Sequence, residues 1–274
     1  MKSDSAPWWV TEDEFKTETT WSPLIGCSRI SDGCSRCWAE RFARRHAANQ
    51  TLPPATRRAY QDVADWDGTI RLLPHMLDVP RHWRKPRVVL TCAMTDLFHE
   101  QTPFAWQQQI LAIASAYRRH QFVIATKRPQ NALKVLNALG PDWEELRHSN
   151  VWLGASICNQ ADADRMLPSL CELAKRGWPT FLHCEPMVGD FDLDAAYDQW
   201  RHVSCRPRWI IVGGESGPGA RMTEPHWVRC LKVAARSIQL PFWFKGWGRH
   251  VPPGQQPGKL DGKTWRQRPQ ELTT

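Results

Sequence analysis

The sequence predicts an α/β protein in which a parallel sheet is wound as a barrel, full or partial. Three observations predict it. Apolar, β-branched runs recur about every 30 residues, the length of one βαβ unit, with helical patterns between them. The runs are almost continuously hydrophobic, as strands covered on both faces are. The repeats are also too even in length to split the 274 residues into two domains.

In chain order, residues 1–18 are polar and read as an N-terminal arm. Residues 19–26 (TTWSPLIG) form the first extended segment. From 35 to 49 the pattern is helical, with Trp38, Phe42 and Arg45 along one face and Ala39 and Ala43 filling in. Residues 50–86 carry Pro53, Pro54, Pro74, Pro80 and Pro86 and read as a partly helical insertion. Strands are expected at 87–92, 121–126, 150–156, 179–184, 208–213 and 241–244. A helix over 104–120 sets Trp106, Ile110, Ile113 and Tyr117 on one stripe. Another over 223–236 opens on Thr223, Glu224 and Pro225 and turns Trp227, Leu231 and Ala234 inward. The barrel thus occupies 19–248, and 249–274, rich in Gly, Pro and Gln, form a C-terminal extension.

Hydrophobic residues make up 42% of the chain, enough for a substantial core. Mean hydropathy is −0.53, and no stretch approaches the ~20 apolar residues of a membrane span. The opening MKSDSAPWWVTEDEFK has no apolar core of signal-peptide length, so a cytoplasmic location is expected. In that compartment nine cysteines, an odd number, point to metal ligands, catalytic groups or buried small residues rather than a disulfide framework. The net charge is +8, with clusters at Arg41–Arg44–Arg45, Arg57–Arg58, Arg81–Lys85 and Arg118–His120. Interleaved with 16 tryptophans, these suit a partner with phosphates and bases; a solvated basic surface over core tryptophans is the plainer reading.

Cys27, Cys34 and Cys37, spaced C-x6-C-x2-C after the first extended segment, form a compact set of thiolates of the kind that binds zinc or an iron–sulfur cluster. Three ligands are one fewer than a closed structural site needs, which leaves a position open for something else. In α/β barrels ligands bind at the carboxyl ends of the strands. Here those ends are Met94-Thr95-Asp96, Thr126-Lys127-Arg128, Ser156-Ile157-Cys158-Asn159, Cys184-Glu185-Pro186, Gly213-Gly214-Glu215-Ser216-Gly217 and Lys245-Gly246-Trp247. Polar groups gather at all six.

The cysteine triad following the first strand resembles the radical S-adenosylmethionine (SAM) superfamily, with a wider first gap than the usual C-x3-C-x2-C. More closely, the chain resembles a bacteriophage family of radical-SAM-like proteins. Nine blocks carry that resemblance, in order: W-x-P-x-x-G-C at Trp21–Cys27, S-x-G-C-x-x-C-Y-A at Ser31–Ala39, S-D-L-F-H at Thr95–His99, L-T-K-R-P at Ala125–Pro129, W-L-G-x-S at Trp152–Ser156, E-P at Glu185–Pro186, V-G-G-E-S-G-x-x-A-R at Val212–Arg221, F-K-Q-W-G at Phe244–Gly248 and D-G-x-x-W at Asp261–Trp265. Trp38 replaces the expected tyrosine and Gly246 the expected glutamine, while Cys92, Cys158 and Cys184 stand where the pattern has no cysteine.

The resemblance implies a partial (β/α)6 TIM-like barrel in which Cys27, Cys34 and Cys37 hold a [4Fe–4S] cluster. The cluster's free iron would chelate SAM, whose one-electron reductive cleavage yields a radical that abstracts hydrogen from substrate. An external one-electron donor is then required. Thr95, Asp96, Ser156 and Glu185 suit the SAM ammonium, ribose or carboxylate. Gly213 and Gly214 would allow close backbone approach, with Glu215 as an acceptor; a strand-to-helix turn and a helix cap are the rival roles. Lys127 and Lys245 would neutralise a carboxylate or phosphate, and Lys127 and Cys184 are the catalytic candidates. Buried small residues, or a hydrogen donor or substrate ligand, are the roles open to the three extra cysteines. The expected substrate is a nucleic-acid base or nucleotide in the host cytoplasm, for example an amino-acid-conjugated (glycinyl) thymidine isomerised during phage DNA hypermodification. Rival readings are radical repair of damaged bases, and a zinc-stapled nucleic-acid-binding module with His46 or His99 as fourth ligand.

Overall fold

The computed structural model describes residues 18–140, 150–193 and 205–272; residues 1–17 of the expected arm lie outside them. Seven strands form one sheet: β1 (Glu18–Trp21), β4 (Val88–Thr91), β5 (Gln121–Thr126), β6 (Val151–Ser156), β7 (Thr180–Cys184), β8 (Ile210–Gly213) and β9 (Phe242–Gly246). They stand in sequence order and every neighbouring pair is parallel, for example Trp21 beside Thr91 and Ile210 beside Phe242. A doubly wound sheet reverses direction at a switch point; this one never does. It curls instead, because Thr19 of β1 and Trp243 and Lys245 of β9, at its two edges, line one internal chamber. The architecture is a half-barrel of α/β type.

The alternation along each strand divides its residues between two apolar layers. Val88, Val123, Trp152, Phe181, Ile211 and Trp243 fill the barrel's interior. Their neighbours Val89, Phe122, Ile124, Leu153, Leu182, Val212 and Phe244 pack outward. On that side lie α3 (Phe104–Ala116), α4 (Pro129–Ala138), α5 (Gln160–Lys175) and α6 (Pro225–Ser237). Seven of the twelve described tryptophans are buried and the other five half-buried, so the plainer reading of their abundance, as core, fits those seven.

The first extended segment is two strands. Pro23, which has no N–H to donate to a ladder, separates β1 from β2 (Leu24–Ile25), which pairs antiparallel with β3 (Arg71–Leu72). The 50–86 insertion supplies β3, α2 (Pro54–Asp62) and two 3-10 turns, and it packs against α1 (Trp38–Ala48) through Tyr60, Val63, Trp66 and Leu73. The helices' buried faces are turned from the expected stripes. In α1 they are Ala39, Glu40 and Ala43, with Glu40 drawn inward by ion pairs to Arg29 and Arg44. In α3 they are Gln107, Ile110, Leu111 and Ala114, and in α6 Val228, Leu231 and Ala235. Bulky Phe42, Trp106 and Trp227 flank these faces half-buried.

The C-terminal extension completes the fold. Phe244 N–H donates to Trp265 O (3.0 Å) and Gln267 N–H to Phe242 O (3.1 Å), so residues 265–267 run antiparallel along β9 and cover its edge. Leu272 then enters the barrel's interior layer from below. Among the described residues, no helix is long and apolar enough to cross a membrane.

Candidate functional site

At the carboxyl end of the sheet lies a cleft of about 1070 Å³, counted to its open mouth. One wall is the cysteine loop, with Cys27, Cys34, Cys37 and Trp38. The strand exits form the others: Thr95 and Asp96 after β4, Lys127 and Arg128 after β5, Ser156 on β6, Glu185 after β7, and Gly214 and Glu215 after β8. Among the residues expected at the site, Gly213, Cys184 and Lys245 do not line the cleft. Cys184 belongs to the layer between sheet and helices, because strand alternation sends it opposite to His183 and Glu185.

The loop is held from below by Arg128, which is 2% exposed. Its guanidinium donates to Ser28 Oγ (3.1 Å), Asp96 Oδ2 (3.3 Å) and Glu100 Oε2 (2.7 Å), and Nη1 stands 4.0 Å from Cys27 Sγ. Asp96 is in turn saturated. It accepts from Thr126 Oγ1 (2.6 Å), from the backbone N–H groups of Lys127 (3.0 Å) and Phe98 (3.1 Å), and from Arg128. Asp96 therefore organises the β5 exit. Thr95 Oγ1 likewise donates to Gly26 O.

From above, Asn159 Nδ2 donates to Asp32 Oδ2 (3.0 Å) and Arg221 Nη2 to Asp32 O (3.0 Å). Arg221 also donates three N–H groups to Glu215, at 2.6 to 2.9 Å, and Arg36 lies 3.5 Å from the same carboxylate. Burial works against the charge on Glu215, but these cations outweigh it and hold its carboxyl below the ordinary range. The two glycines before it make room for protein. A Cβ on Gly214 would fall 2.1 Å from Trp247 O, and one on Gly213 3.0 Å from the Glu185 carboxyl carbon. The turn role fits them.

Gly33 lets the loop seat on the β6 exit. A Cβ there would lie 2.1 Å from Cys158 Sγ, which itself accepts from Lys127 Nζ (3.0 Å). Gly33→Ala is expected to cost about 1–3 kcal/mol through overpacking. Removing the sulfur with Cys158→Ala should recover most of that in a double-mutant cycle read by thermal melting. Strictly additive losses would refute this packing.

The thiols sense one another. Burial pushes the Cys27 thiol up to about 12; Asp96 and the thiols of Cys37 and Cys34 add to the rise, and Arg128 opposes it. Among the described residues, no three His, Cys, Asp or Glu side chains are close enough to share a single ion. The proposed fourth zinc ligands are engaged elsewhere. His99 Nε2 pairs with Ser28 Oγ (2.7 Å) while its Nδ1 accepts from Gln101 N–H (3.1 Å), and His46 is stacked on Phe42 with Nδ1 3.2 Å from Phe42 O.

Arg128, Arg221 and His183 were not singled out in the sequence, although all three bear on the cleft. His183 could have been: it stands on β7 two residues before Glu185 at that strand's exit, hence on the same face.

A half-barrel with a thiol-lined cleft at its strand exits is the class that fold and site define. The chain belongs to the family described as "Protein of unknown function (DUF5131)", whose model matches residues 12–269. No curated protein and no solved structure matches it.

Proposed function

We propose that this protein is a radical SAM enzyme that modifies a nucleic-acid base, built on a (β/α)6-type barrel. The observation that carries this reading is the placement of Cys27, Cys34 and Cys37 on one wall of the cleft formed by five strand exits. These cysteines would hold a [4Fe–4S] cluster through one thiolate each, and Arg128 beside Cys27 would offset the cluster's negative charge. When bound, cluster and SAM supply one-electron cleavage of SAM and hydrogen abstraction. The chain's own part is to orient the ligand and exclude water. Trp38 and Trp66 wall the cleft on the loop side, and Leu90, Ala93 and Ala125 give it an apolar floor.

The nucleic-acid substrate rests on charge near the mouth. Arg29, Arg44 and Arg45 are exposed on the loop and α1, Arg36 lines the cleft, and Arg41 braces the carbonyls of Ser216 and Pro218. The clusters at 81–85 and 118–119 precede β4 and β5, at the opposite end of the barrel, and add nothing there. An isomerisation of a glycinyl thymidine within phage DNA is the substrate-level form of the proposal, and the external electron donor is part of it.

The test is anaerobic reconstitution with iron and sulfide, then dithionite and SAM. Formation of 5′-deoxyadenosine is expected, and its absence from a sample of full iron content sinks the reading. Duplex DNA should bind and be released steeply between roughly 50 and 200 mM salt if arginines meet phosphates. Salt-independent binding would remove the nucleic-acid part alone.

A further inference from the structure

Beneath the cleft, four side chains from three strands or their exits join in a line. Ser156 Oγ on β6 lies 3.0 Å from His183 Nδ1 on β7. His183 Nε2 lies 3.4 Å from Glu185 Oε2, and that oxygen accepts from Lys245 Nζ on β9. Ser156, His183 and Glu185 all line the cleft, and His183 and Lys245 also line the chamber below it.

The chemistry of the neighbours fixes the tautomer. An ionised carboxylate only accepts, so the ring nitrogen facing Glu185 carries the proton, and Nδ1 is left to accept from the Ser156 hydroxyl. Lys245 keeps Glu185 ionised: burial opposes its charge, but Lys245 and His183 outweigh burial and hold the carboxyl below its ordinary value. His183 is held neutral. Burial lowers its pKa, Glu185 works the other way, and Lys245 and Lys127 lower it further. A serine hydroxyl on a neutral imidazole, itself oriented by a carboxylate, is the arrangement that activates a hydroxyl for proton transfer. Burying a lysine–glutamate pair costs desolvation that an apolar pair would not, so packing alone does not account for it.

We propose that Ser156, His183 and Glu185 form an acid–base array serving a cleft ligand that presents an exchangeable O–H or N–H proton. In the step, the ligand's X–H bond breaks and its proton goes to Ser156 Oγ, as the proton of Ser156 passes to His183 Nδ1. The imidazolium that forms faces Glu185. No electron changes hands, and the return of the proton restores the array. Ser156 is the group that meets the ligand; His183 acts through it, and Glu185 and Lys245 position His183. None of this depends on what the cysteines hold.

The test uses the full chain as purified and a fluorophosphonate probe, whose phosphorus bonds to an activated serine oxygen as fluoride leaves and the proton goes to His183. Labelling is expected at Ser156 and absent in Ser156→Ala. It should slow on the order of a hundredfold in His183→Gln at an unchanged melting temperature. The rate should fall as pH drops through a value below the ordinary imidazole pKa of 6.5, because protonation removes the acceptor, and His183→Gln should flatten that profile. Equal labelling of wild type and His183→Gln, or none at Ser156, overturns the proposal. A second measurement needs no access to the cleft. Nitrogen-15 NMR of labelled histidine, assigned with His183→Gln, is expected to find the neutral ring protonated at Nε2, and protonation at Nδ1 overturns it equally.

Discussion

Cys34→Ala is expected to leave the reconstituted protein colourless, with iron at background, while the metal-free protein melts as the wild type does. Cys34 is half-buried on a loop, and its sulfur lies 3.8 Å from Ser31 Oγ. Losing that weak contact costs little, on the order of 0.5 kcal/mol. The effect on a bound cluster is of another size. Three thiolates are the whole protein ligand set in the proposed site, and removing one leaves an iron that the protein cannot hold. Cys92→Ala and Cys184→Ala are the controls. Cys92 lies across the cleft with a thiol pushed far up by burial, and Cys184 faces the helices, so both variants should keep their iron. Full iron and visible absorbance in Cys34→Ala would refute the ligand assignment.

The second large effect is on stability. Arg128→Met is expected to cost about 3–5 kcal/mol, because it strands the buried Asp96 carboxylate and unpins Ser28. For a chain of this size that corresponds to a fall in melting temperature of roughly 10 °C. Arg128→Lys should not restore it, since an ammonium cannot reach Asp96, Glu100 and Ser28 at once as the guanidinium fork does. Pairing Arg128→Met with Asp96→Asn should cost less than the sum of the two, because the stranded charge goes with its partner. A loss below about 1 kcal/mol for Arg128→Met would show that the network is ornamental to the fold.

The strands were legible because their residues are apolar and β-branched over the whole run, a local property that tertiary context did not overrule. All six expected segments became strands within a few residues of their expected ends. Helix existence was legible too, but the buried faces were not. In α3 the consecutive glutamines Gln107 to Gln109 fall on different sides of a mostly apolar helix, so the chain offers little contrast from which to pick a face. The site was legible in position and less so in role. That Thr95, Asp96, Ser156, Glu185 and Glu215 share one cleft follows from strand polarity. That Asp96 and Glu215 are spent on Arg128 and Arg221 follows only from contacts 32 and six residues apart, which no local pattern announces. The glycines at 213 and 214 look in sequence like room for a ligand, and in space they are room for Glu185 and Trp247.

The anchors of the cysteine loop bear on the order in which the molecule is assembled. From β4 to β9 each strand of the sheet lies beside the one before it in the chain. Three of the loop's anchors are far away by comparison: Arg128 is 100 residues beyond Ser28, Asn159 is 127 beyond Asp32, and Arg221 is 189 beyond Asp32. Closing such spans costs entropy that short ones do not, so the barrel can take shape while the loop is still undocked. Cys27, Cys34 and Cys37 are the first three of the nine cysteines to be synthesised, well before the distant anchors of their loop. Until those anchors are in place the thiols can meet oxidants, and the later strand exits complete their shelter.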